Sequence, residues 1–358
     1  ATVDETATTS AAGSLGLTTY TAGDDPDVGG TGVIASATSG GAVVTLSTEA
    51  YGSDGAALSE AKVFGLSVTN ASSGVTLTDG SVVNLVLLSN GNVAGVVQGS
   101  GAFAGKVAFV IGINAVSGVL SVEQYLSLDH PAEATAGNGY TSYDEAISLA
   151  TGSLGATVTL KDGDGDTVVS STADISSCVA FEDDGPTLNV VKGTETGVLL
   201  TTQDAETDGT PTENDTAAST ANFSGVFSIA SSAFGADGAG TTPVLGYTLS
   251  LAVASGSDSG FESNGVQVNL YDVGGVITGS TSSSLVGVTA GNTIFSISVN
   301  STGVVTLTQY AEIDHPLADD PSPSATPFED QLAVLGSGLV TLTASATITD
   351  GDGDTATD

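Results

Sequence analysis

Leu120-Ser-Val-Glu-Gln-Tyr-Leu-Ser-Leu-Asp-His-Pro131 alternates apolar and polar side chains, and 185 residues on the chain repeats it as Val305-Thr-Leu-Thr-Gln-Tyr-Ala-Glu-Ile-Asp-His-Pro316. Period-two alternation is the pattern of a strand with one buried face, because successive side chains leave a pleated backbone on opposite sides. Further out, Ala50-Tyr-Gly-Ser-Asp-Gly55 returns as Ala233-Phe-Gly-Ala-Asp-Gly238. Leu160-Lys-Asp-Gly-Asp-Gly-Asp-Thr167 returns as Ile348-Thr-Asp-Gly-Asp-Gly-Asp-Thr355. The order is kept and the offset moves only between 183 and 188, as loop insertions produce. The 358 residues are two copies of one unit.

The expected domains are residues 1–185, ending in the acidic junction Glu182-Asp-Asp-Gly-Pro186, and residues 186–358. After the first Asp-Gly-Asp-Gly-Asp the chain continues from Val168 to Phe181 and into the junction; after the second it reaches only Asp358. The second copy is therefore expected to lack its last strand, as an excerpt from a longer tandem array would. Strand-like runs span Ala42 to Thr48, Val63 to Thr69, Val82 to Leu88, Lys106 to Asn114, Gly118 to Leu128 and Ala156 to Leu160. In the second copy they span Gly225 to Ala230, Leu245 to Ala254, Val266 to Tyr271, Thr293 to Val299, Val304 to Ile313 and Leu339 to Ile348. Short strands parted by Asx-Gly, Gly-Gly and Ser-Gly turns predict an all-β chain of tandem antiparallel β-sandwich domains, immunoglobulin-like with Greek-key connections. One elaborated sandwich per copy is expected rather than two subdomains.

Composition narrows the function. There are 41 acidic against 4 basic residues, a net charge of −37, 48 glycines, 1 cysteine and no arginine. Such a polyanion repels phosphate backbones and anionic head groups, which argues against nucleic acid and membrane-surface partners, and it attracts cations. With 40% hydrophobic residues the chain can still form a core. The most apolar stretch, Val107 to Leu120, is too short and too broken by Gly112, Asn114, Ser117 and Gly118 to insert in a bilayer. Cys178 has no partner in the chain and reads as a small buried hydrophobe.

Asp162-Gly-Asp164-Gly-Asp166 and Asp350-Gly-Asp352-Gly-Asp354 carry the strongest chemical signal. Carboxylates at i, i+2 and i+4 can converge when the intervening glycines let the backbone curl, and calcium takes six to eight oxygen ligands. The spacing is not that of an EF-hand: positions six and twelve would be Thr167 and Ala173. At the junction, Glu182, Asp183 and Asp184 cannot all point one way along a strand but can reach both neighbouring units. A cation there would fix a joint that a bare linker leaves free. Asp129-His130-Pro131 and Asp314-His315-Pro316 hold one histidine per copy with no second His or Cys nearby, so they read as strand-end caps rather than a zinc or catalytic site. Acidic loops such as Ala22 to Asp27, Asp204 to Asp215 and Ala318 to Ser324 read as surface. No nucleophile elbow is present, and no enzyme activity is expected.

The ordered set of Gln-Tyr-x-x-Ile-Asp-His-Pro, Thr-Asp-Gly-Asp-Gly-Asp-Thr and Phe-Glu-Asp-Asp-Gly-Pro-Thr resembles the tandem extender repeats of giant type-I-secreted repeats-in-toxin (RTX) adhesins of Gram-negative bacteria. The resemblance implies calcium-binding β-sandwiches that fold outside the cell, at the bacterial surface, and string into a stiff stalk in adhesion and biofilm formation. Its implied Ca2+ ligands are Asp162, Asp164, Asp166, Glu182, Asp183 and Asp184, with Asp350, Asp352 and Asp354 in the second copy. The implied partners are neighbouring repeats of the same longer chain, and like protomers if the module builds a filament. A self-assembling filament or surface-layer subunit and a calcium-dependent glycan-binding module are the alternatives.

Overall fold

Val93–Val97 is buried at every position and Lys106–Ile113 at all but its two ends, so these strands are covered on both faces and read as continuous apolar runs. They lie at the centre of a sheet ordered Ala35–Ala42, Val119–Gln124, Lys106–Ile113, Val93–Val97, Val82–Leu87, Ser72–Thr76, with Thr21–Ala22 added in parallel to Lys106–Ile113. One face packs on Leu66, Leu154, Ala156 and Phe181. The other is covered by the N-terminal segment through Leu15, Leu17 and Tyr20, packed against Val96, Val107, Val110 and Tyr125. The computed structural model describes residues 1–6, 13–29, 32–130, 143, 145–195, 198–204, 207, 217–315 and 332–358.

The chain is all-β: among the described residues the only helices are short 3-10 turns, and none is long and apolar enough to cross a membrane. It divides into two units. The first holds Ala1–Leu188, Ser232–Pro243 and Thr347–Thr357; the second holds Asn189–Ser231, Val244–Ala346 and Asp358. The main break is close to the expected boundary of 185/186, but two short segments of the second sequence copy belong to the first unit. In that unit, Lys62–Val68 pairs with Leu154–Lys161, and Ala180–Glu182 lies between Thr2–Asp4, to which it is parallel, and Ala146–Ser148. The second unit repeats the large sheet as Ala217–Asn222, Val304–Gln309, Thr293–Val299, Val276–Ser280, Val266–Val273, Ser257–Ser263. Its core gathers Leu249, Val268, Leu270, Ile277 and Phe295.

Two strand expectations are corrected. Residues 43–48 form no strand; Val44 and Leu46 instead pack as irregular chain on Phe64, Val158 and Leu160, and the strand there is Ala35–Ala42. The run Leu339 to Ile348 breaks at Ala346 into Val340–Ser345, which pairs with Gly246–Leu251, and Thr347–Asp350, which pairs with Ala239–Thr241 and Thr355–Thr357. The break passes the second Asp-Gly-Asp-Gly-Asp loop to the first unit.

Candidate metal centre

Both Asp-rich loops fold in the same way for the same local reason. Asp350 Oδ1 accepts the backbone N–H groups of Gly353 (3.1 Å) and Asp354 (2.7 Å), and Asp162 Oδ1 accepts those of Gly165 (3.1 Å) and Asp166 (2.8 Å). The first aspartate thus closes each loop with one oxygen and keeps the other. Around these identical loops the surroundings differ. Asp350, Asp352 and Asp354 bring carboxylate oxygens within 4.8 Å of one another, with Asp350 and Asp354 buried. In the first loop Asp162 and Asp164 gather instead with Asp54, and Asp54 and Asp164 are exposed. Asp166 does not join that set.

The acidic junction supplies the difference. Along Ala180–Glu182 the side chains alternate, so Phe181 points into the core, fully buried and 4.9 Å from the Phe109 ring, and Asp183 follows it inward with no exposure. Glu182 takes the opposite side, and among the described residues its carboxylate is in none of the groups of converging ligand atoms. Asp184 turns at the strand end, and its carboxylate accepts the N–H of Ala236 at 3.0 and 3.1 Å. Gly235 sits at φ +76, and a Cβ there would overlap Asp184 Oδ1. A glycine is therefore needed for the backbone to come this close.

Asp183 is the hub. Its ligand atoms lie within 4.8 Å of three sets: Glu5 and His130, Glu145 and Asp354, and Asp184 and Asp237. All these residues belong to the first unit, although Asp237 and Asp354 come from the second sequence copy. Glu5 Oε1 accepts the Gln124 amide and, at 3.1 Å, the N–H of Leu128. His130 is buried, with its ring nitrogens 2.9 Å from Leu128 O, 3.2 Å from Phe181 O and 3.4 Å from Asp183 Oδ1. Among the described residues the ion pairs are Lys62–Glu49, His130–Asp183 and His315–Asp204, so no lysine offsets the cluster.

Several oxygens here are buried without a hydrogen-bond partner: Glu5 Oε2, Asp183 Oδ2, both of Asp237, Asp350 Oδ2 and both of Asp352. Burial first, and then the neighbouring carboxylates, push Asp183 up to about 11, Asp237 to about 9 and Asp350 to about 8. Burial lifts Asp184 to about 6 against the opposing Ala236 N–H, and holds Glu5 well above the usual carboxylate range. Unpaired buried carboxylates are costly, and a bound cation removes the cost. The donors are almost all carboxylate oxygens, with no thiol and one imidazole already facing two carbonyls, and such a set suits a hard cation such as calcium.

The expected ligands Asp183, Asp184, Asp350, Asp352 and Asp354 are thus brought together, while Asp162 and Asp164 form a separate, open set. Sequence reasoning missed Asp54 and Asp237, although both stand in the repeated Ala50–Gly55 and Ala233–Gly238 segments. It also missed Glu5 and Glu145, which no motif marks. The loop from Ala22 to Asp27 is not wholly surface: Asp25 is buried and accepts the Ser127 N–H at 2.9 Å. Asp129 Oδ2 accepts the Thr76 hydroxyl at 3.0 Å, and the Asp314 carboxylate accepts the backbone N–H groups of Asn264 and Gly265 at 3.0 and 2.7 Å. Pro131, Pro316 and the Ala318 to Ser324 loop lie outside the described residues.

Residues 1–176 and 192–358 match one family model, described as a domain of unknown function (DUF5801). Asp183 and Asp184 fall between the two matched stretches. No curated protein and no solved structure matches the chain.

Proposed function

The chain belongs to the DUF5801 family over nearly its whole length, and from that premise we propose that it is a non-enzymatic, calcium-stabilised structural module of a secreted bacterial surface adhesin or filament. In this reading it serves as an extender, holding adhesive parts away from the cell, with neighbouring repeats as its partners. One observation carries the reading: carboxylate oxygens of Glu5, Asp183, Asp237, Asp350 and Asp352, from separate chain segments, are buried without a hydrogen-bond partner among the described residues and lie in groups of converging acids. A core of acids is a poor design for stability unless the protein folds where a divalent cation is abundant, as it is outside the cell. The RTX-like motif order supplies the adhesin context.

The test is thermal unfolding with calcium and after exhaustive chelation. A ligand held only by the native state at about 100 times its Kd adds about 2.7 kcal/mol, or roughly 5 to 10 °C for units of this size. A melt that does not move on chelation overturns the reading.

A further inference from the structure

Resting on the calcium reading above, we infer that the centre holds two neighbouring divalent cations, with Asp183 shared between them. The carboxylates converge on two places. Asp183, Asp184 and Asp237 form one set and Asp350, Asp352 and Asp354 the other, each with ligand atoms within 4.8 Å and no member in common. The sets adjoin, because Asp183 and Asp354 also fall within 4.8 Å of each other beside Glu145. Each contains a carboxylate more than nine-tenths buried that has an oxygen without a hydrogen-bond partner: Asp183 and Asp237 in the first, Asp350 in the second. A single ion at either place leaves the other set of buried acids either to keep its protons or to face one another as like charges, and its unpaired oxygens stay unsatisfied.

The first copy provides an internal contrast. Asp54, Asp162 and Asp164 are the repeat equivalents of Asp237, Asp350 and Asp352, and with no junction acids in their set they form one convergent group. Where Asp183 and Asp184 are present, Asp237 gathers with them instead and the loop forms its own set with Asp354. The junction acids therefore divide what is one convergent group in the first copy into two adjoining groups in the centre. A carboxylate with two oxygens can serve two cations, and Asp183 stands where the sets meet.

Native mass spectrometry and calorimetric titration of the whole chain with calcium chloride would count the ions. Two tightly bound ions are expected. Asp352→Asn should remove one, and Asp183→Asn should weaken both by more than about tenfold, the scale on which even second-shell losses act. Asp164→Asn, in the open loop, should leave the tight count at two. Because an Asp183 variant could also fail to fold, a second measurement uses the unaltered protein loaded with mixed terbium and europium. Energy transfer between the lanthanides requires two ions in one centre. A single tight ion with the chelation-sensitive melt intact would overturn the two-ion centre and leave the calcium reading standing; no tight ion and an unmoved melt would overturn both.

Discussion

Gly351 shows how finely the loop is placed. A Cβ there would overlap the backbone oxygen of Asp237, and a backbone atom, unlike a side-chain tip, cannot swing aside. Gly351→Ala should push the Asp350 loop off the Asp237 segment, at a cost of about 1 to 3 kcal/mol, typical of overpacking, and should weaken calcium binding with it. Gly163→Ala makes the equivalent clash with Asp54 in the open loop and should leave the tight calcium sites untouched. Paired calcium titrations of the two variants check this, and equal losses in both would contradict it. The glycines were visible in the sequence as the spacers that let Asp-Gly-Asp-Gly-Asp curl. That they also admit a second chain segment was not, because nothing local to the motif names Asp54 or Asp237 as the neighbour. Glu5 was hidden for a related reason: it is tied to Gln124 and Leu128 across more than a hundred residues, and the acid that makes the same bonds in the second copy, Asp204 to Gln309 and Ile313, stands outside the register of the repeat.

Strand Ala180–Glu182 joins the hydrophobic core to the acidic centre. Its alternation directs Phe181 and Asp183 to one side, so a packing residue and the hub carboxylate are positioned by the same pairing to Thr2–Asp4 and Ala146–Ser148. Phe181→Ala removes a fully buried ring that rests on Phe109 and should cost about 3 to 5 kcal/mol in urea unfolding. If the strand positions the hub, the variant should also bind calcium more weakly than a control such as Phe295→Ala, which opens the second unit's core instead. Equal calcium affinity in both variants would separate packing from the site. Thr293–Val299 was legible from its period-two run, with bounds that match the expectation residue for residue. Val93–Val97 escaped that reading because both its faces are covered, which removes the alternation. Ala42 to Thr48 misled it because an irregular segment packing Val44 and Leu46 inward produces the same spacing.

For the molecule as a whole, the charge of −37 divides between exposed and buried acids. Carboxyl groups in an unfolded chain release their protons near pH 4. Asp183, Asp184, Asp237 and Asp350 release theirs in the unfolded chain near pH 4 but are held up to between about 6 and about 11 in the fold. Over that window the folded state binds more protons, so its stability is fully present below about pH 4 and is lost as pH rises through the raised values. The calcium-free protein should therefore melt at a higher temperature at pH 5 than at pH 8. Calcium competes with those protons, so its stabilising effect should grow across the same interval and flatten or reverse the slope. Added sodium chloride screens the exposed population far more than the buried one and should raise both calcium-free melts without removing their difference. Scanning calorimetry in metal-free buffer at the two pH values, with and without salt, decides the matter. A calcium-free melt that rises from pH 5 to pH 8 would mean that the buried acids are already ionised and paired by other means, leaving the cation nothing to neutralise.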